Sequence, residues 1–113
     1  MSKISFDGVG AVVATFLAEE GVKGGQVVKI TGNGTVGPCA AGDSFCGVAL
    51  EPRGEMAAVQ VRGFAAVSGP EELAVGQAAL AADGQGGVKL AESGGVSALV
   101  VSVEADGTAV LCL

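Results

Sequence analysis

Short runs of valine and alanine, each closed by glycine, set the rhythm of this chain. The apolar runs are β-branched and short, and no 3.6-residue apolar period extends beyond ten residues, so strands joined by tight turns are predicted rather than helices. The pattern places strands at Val9–Leu17, Gln26–Thr31, Phe45–Glu51, Ala57–Arg62, Phe64–Val67, Ala78–Ala82, Val88–Leu90, Ala98–Glu104 and Thr108–Leu113. Turn chemistry separates them. Asn33-Gly34 is a two-residue hairpin signal. Pro52 and Gly54 suit a turn between the third and fourth strands, and "DGQGG" and "ADG" close the later hairpins. Only "GPEELAVGQAALAA" has a helix start, with Pro70 at a first helical position and Glu71 and Glu72 in the first turn; Gly76 limits it to one turn.

The pattern echoes itself. "GQVVKITGNGTV" from Gly25 parallels "GQAALAADGQGGV" from Gly76, and "CGVALEPRGEMAAVQV" parallels "LVVSVEADGTAVLCL". Glu51 and Gly54 of the first copy correspond to Glu104 and Gly107 of the second, 53 residues on, whereas Gly25 and Gly76 are 51 apart. The expectation is one all-β domain over residues 1–113, a small barrel or sandwich of short strands with two similar four-strand halves, 25–62 and 76–113.

Composition sharpens this. Of 113 residues 20 are glycine, tryptophan and tyrosine are absent, and Phe6, Phe16, Phe45 and Phe64 are the aromatics. Small side chains suit thin β-layers, and they give little burial per residue, which favours further burial between subunits. The net charge of −6, with six scattered cations, argues against nucleic-acid binding. Mean hydropathy is high at +0.59. Even so, the apolar stretches around 8–18 and 93–103 are half the length of a spanning helix, and "MSKISFDG" is no secretory leader, so neither membrane insertion nor secretion is expected.

Candidate chemistry is sparse. There is no histidine, which removes Cys–His nucleophiles, Ser–His triads and histidine zinc ligands together. Ser44 with Lys29 or Lys89 is an arithmetic possibility without a motif. Glu19-Glu20 and Glu71-Glu72 are adjacent, so on a strand they would point to opposite faces. Cys39 and Cys46 are spaced C-x6-C with Cys112 alone, unlike the paired clips of zinc sites, and the three read as small apolar side chains in a reducing compartment. No catalytic residue, cofactor site or metal site is expected, and Phe45–Leu50 should show Cys46, Val48 and Leu50 on one face with Phe45, Gly47 and Ala49 on the other.

Residues 40–67, "AAGDSFCGVALEPRGEMAAVQVRGFAAV", preceded by "GVKGGQVVKITGNGTVGPC", resemble the small head-decoration and capsid-associated β-proteins of tailed bacteriophages. The recurring element of glycine-aspartate, "GVA", a turn glycine, alternating valines and a closing glycine falls on Gly42, Asp43, Gly47, Val48, Ala49, Gly54, Val59, Val61 and Gly63. The resemblance implies a small barrel or β-tulip-like domain, made in the bacterial cytoplasm. It would form trimers that bind the major capsid protein on the outer surface of an expanded head and stabilise the virion. It implies no catalytic residue or cofactor. Ile4 and Phe6 would be anchors of an N-terminal arm, or simply part of a first strand. Another minor head component, or a monomeric bacterial binding module, are the other readings; the lack of Trp and Tyr counts against sugar stacking in the latter.

Overall fold

A computed structural model describes residues 11–70 and 73–113. Ten strands follow one another: β1 (Val12–Ala18), β2 (Val27–Gly32), β3 (Thr35–Pro38), β4 (Gly47–Ala49), β5 (Met56–Arg62), β6 (Phe64–Ser68), β7 (Gly76–Ala82), β8 (Val88–Leu90), β9 (Val96–Val103) and β10 (Thr108–Cys112). The protein is all-β, with no helix among the described residues. Ile4, Phe6, Glu71, Glu72 and the beginning of the strand predicted from Val9 lie outside those residues. Leu73 N–H donates to Pro70 O at 3.2 Å, and Gly76–Ala82 of the supposed helical segment is strand β7.

The strands form two five-membered sheets. In the first, β1 pairs with β5, β5 with β4, β4 with β2 and β2 with β3, all antiparallel. A parallel contact of β3 with β1, Leu17 to Thr35 and Ala18 to Val36, closes it into a barrel. The second sheet runs β6–β10–β9–β7–β8 and is also antiparallel throughout. The two orders are the same with every strand number raised by five. Single hydrogen bonds match as well: Ala18 N–H donates to Glu55 O at 2.7 Å, and 51 residues on Gly69 N–H donates to Gly107 O at 2.8 Å. The predicted spans 25–62 and 76–113 hold four strands each, β2–β5 and β7–β10, and β1 and β6 add a fifth strand to each unit. Among the described residues the second sheet has no ladder corresponding to β1–β3, and it is open.

Asn33-Gly34 does make a hairpin turn, but in an altered form. Of the two, only Gly34 has a positive φ, 63°, and among the described residues none but glycines do, so the turn is not the form that needs both central residues left-handed. A register shift between Ile30 and Gly32 accommodates the difference, and Thr35 Oγ1 donates to Asn33 O at 3.0 Å.

Alternation along the strands sets the cores. In β5, Ala57 and Val59 are buried, as are Ala65 and Val67 in β6 and Ala109 and Leu111 in β10. Val28, Val36, Ala49 and Val59 fill the barrel, with Phe16, Val22 and Cys46 against them. A larger cluster of Leu80, Val88, Val100, Leu111 and their neighbours fills the second unit, and Val27, Phe45 and Val48 of the first unit belong to it.

Candidate functional site

The stretch with the densest chemistry, Cys39 to Ala49, lies where the two units meet. Gly42 N–H donates to Ala82 O at 2.8 Å and Ala82 N–H donates to Asp43 O at 2.9 Å, so the loop and the end of β7 exchange a pair of backbone bonds. Val27 N–H donates to Gly86 O at 3.0 Å beside them. A Cβ on Gly84 would lie 3.1 Å from Ala41 N, and one on Gly86 would fall 2.6 Å from the Gln26 side chain. The glycines of the β7–β8 turn are thus what allows the loop to sit so close.

Phe45 explains why the loop holds this shape. It is 5% exposed and packs in the core of the second unit, whereas the adjacent Cys46 packs in the barrel. Cys46 N–H donates to Val28 O at 2.8 Å, and β4 begins only at Gly47. The alternation predicted over Phe45–Leu50 therefore gives way. Val48 belongs with Phe45 in the second unit's cluster, Cys46 and Ala49 go to the barrel, and Leu50 is 44% exposed. A segment shared by two cores buries both of its sides. At Gly47 only hydrogen fits, because an added Cβ would meet the Gln60 carbonyl oxygen of β5.

Asp43 ties the loop to the barrel. Its Oδ2 accepts from Lys29 Nζ at 2.6 Å and from Ala40 N–H at 2.9 Å, a turn closed by the side chain. The Lys29 ammonium, then the Ala40 N–H, holds the Asp43 carboxyl below the usual carboxylate range, and the Asp43 carboxylate raises Lys29 in turn. Joining the two as an amide would need a neutral amine and a protonated acid. Both shifts run the opposite way, so the arrangement is a surface strap, about a third exposed at each end. It also occupies the lysine that a Ser44–Lys29 pair would need.

The cysteines face different cores. Burial and then the Asp43 charge push the Cys39 thiol up to about 11, and burial raises Cys46. A thiol so shifted carries little thiolate at neutral pH. No group of three Cys, Asp or Glu side chains among the described residues is arranged to hold a metal ion.

The remaining motif positions are dispersed. Gly42 is in the junction loop, Gly47, Val48 and Ala49 form β4, and Gly54 turns the chain from β4 into β5. Val59 and Val61 lie along β5, and Gly63 links β5 to β6, its carbonyl accepting from Leu113 N–H at 2.9 Å. These residues shape a fold and do not converge on one reacting atom. No protein-family model matches the sequence, and no curated protein matches it.

The feature that sequence reasoning missed is on the outside of the barrel. β1 turns Val13, Thr15 and Leu17 outward, level with Gln60, Ala58 and Met56 of β5. Val13 and Leu17 are each 48% exposed, and Met56 is 41% exposed. This strip carries no charge until Arg62 at one end and Glu19 at the other. Two shallow grooves border it. One, of about 620 Å³, is lined by Leu17, Val22 and Pro52 with Glu19, Glu20 and Glu55, and the other, of about 420 Å³, by Thr15, Leu50, Met56 and Ala58 with Glu51 and Arg53. The signal was present in "VVATFLA", which has no alternating charge, but such a run reads equally as a strand buried on both faces.

Proposed function

We propose that this chain is a structural virion protein that docks as trimers on the outer surface of an expanded tailed-phage head, where it binds the major capsid protein and stabilises the shell. The observation that carries the reading is the uncharged outward strip of Leu17, Met56 and Ala58 with Leu50 nearby, on a protein whose net charge is −6. Exposed apolar surface of this kind marks association sites. The resemblance of residues 40–67 to decoration proteins supplies the setting. The shared junction loop supports a mechanical role, since its polar groups are spent on joining two units of one strand order.

The mechanism is thermodynamic. A subunit that binds the expanded shell and not its dissociated parts shifts the equilibrium toward the shell by mass action. An interface of ordinary size, on the order of 800 Å² per partner, suffices for a specific contact. The acidic surface keeps free subunits apart before docking.

The test combines light scattering on the purified protein with sedimentation of expanded and unexpanded heads in its presence. Trimers, and saturable binding to expanded heads, support the proposal. A protein that stays unbound over shells of both kinds refutes it.

A further inference from the structure

The edge of β1 is only half used. β5 pairs with it from Val12 to Leu17, whereas β3 reaches it only at Leu17 and Ala18. On the β3 side the donors are odd-numbered: Leu17 N–H bonds to Gly34 O and Glu19 N–H to Val36 O, each at 2.9 Å. On the β5 side Ala18 N–H bonds to Glu55 O. Backbone groups alternate along a strand. The N–H and C=O of Val13 and Thr15 therefore point away from β5, to a side where no described strand lies. Natural sheets protect such edges with lysine, proline, short length or a bulge. Val13–Leu17 has no charge and no proline, and the one irregularity, between Val12 and Val13, falls before it.

We infer that the β1 edge of one copy pairs antiparallel with the β1 edge of a second copy, about a twofold axis at Ala14. Three features select the chain's own copy as the occupant. The edge is symmetric in shape, because Val13 and Thr15 are near-isosteric β-branched residues on either side of Ala14. Twofold pairing sets Val13 opposite Thr15 twice and the small Ala14 opposite itself. The pairing also satisfies the edge completely: Val13 and Thr15 of each copy exchange both of their backbone bonds with the other, four bonds in all. Finally, charge sets the direction. Glu19, Glu20, Glu51 and Glu55 outnumber Arg53 at one end of the strip, and Arg62 stands at the other, beside Val12. Antiparallel pairing lays the acidic end of each copy along the Arg62 end of its neighbour, whereas parallel pairing would set like ends together. The two outward strips then join into one continuous sheet face.

This contact does not depend on the capsid reading. It is twofold, separate from a threefold one, and two copies joined at β1 can belong to two neighbouring trimers.

The test is hydrogen exchange on the full chain across a hundredfold range of concentration, with sedimentation equilibrium on the same samples. The Val13 and Thr15 amides are expected to gain protection together with the appearance of paired species. Two variants probe the edge. Thr15→Pro removes an N–H that β5 does not use, and Val13→Lys with Thr15→Lys places outward charges on the edge and leaves every backbone bond available. Either should weaken association at least tenfold, and far-UV circular dichroism identifies a variant that has not folded. Protection at both amides in samples that sedimentation shows to be monomeric overturns the inference. Association of the folded lysine variant at wild-type strength also overturns it. Trimers without concentration-dependent protection at Val13 and Thr15 reject this contact and leave the capsid proposal standing; pairs that ignore phage heads do the reverse.

Discussion

Replacing Phe45 with alanine tests whether the junction loop holds the two units together. Phe45 is 5% exposed and belongs to the core cluster that also holds Leu80, Val88 and Leu111 of the second unit. Its loss removes apolar burial and leaves a cavity walled by strands from both sheets, which cannot collapse without moving one unit against the other. A Phe-to-Ala change in such a site costs about 3–5 kcal/mol. At about 0.05–0.15 kcal/mol per residue, a chain of 113 residues has roughly 6–17 kcal/mol of stability in total. The variant should therefore lose about a sixth of it or more. In urea, followed by circular dichroism, the midpoint should fall by more than about 1 M, given a slope of about 1–3 kcal/mol/M. One transition should remain, because neighbouring bonds such as Gly42 N–H to Ala82 O still couple the units. A loss under about 1 kcal/mol would show that Phe45 does not join the cores and would refute the reasoning.

Two further outcomes follow from the same loop. Asp43 titrates below the usual carboxylate range in the folded chain, so its contribution is complete above the unfolded value near pH 4 and disappears as pH falls through the lower folded value. Lys29 is raised, so its share is complete below the unfolded value near 10.5 and disappears as pH rises beyond it. The difference in thermal midpoint between wild type and Asp43→Asn should be flat across neutral pH and shrink below about pH 4, and a constant difference down to pH 2 would remove Asp43 as its source. Cys39, at about 11, should react with iodoacetamide at pH 8 at least about tenfold more slowly in the folded chain than in urea, the greater nucleophilicity of its thiolate offsetting only part of the shift. Equal rates measured by peptide mapping would contradict the burial argument.

Much of the strand pattern could be read from the sequence because β-branched runs and glycine turns are local. Val88–Leu90 falls where the pattern put it, and most other strand ends move by one or two residues. Strand β3 escaped because Gly37 and Pro38 depress strand propensity, and pairing with β2 along its length and β1 at its start overrides that. The shortening of the strand predicted from Phe45 has a different cause. Phe45 and Cys46 turn into two different cores, and no periodicity within one segment encodes a second unit on its far side. The outward strip was hidden for a related reason. In a chain this rich in Ala and Val, inward and outward positions of β1 carry the same residue types, so only the barrel's closure tells them apart.

The proposed role is that of a structural part of a phage shell. The most direct measurement is the copy number bound per expanded head at saturation, from sedimentation followed by quantitative gel densitometry. The account predicts a fixed plateau at a multiple of three copies per local threefold position, with raised resistance of the head to heat. Binding that never saturates, or none at all, would contradict it.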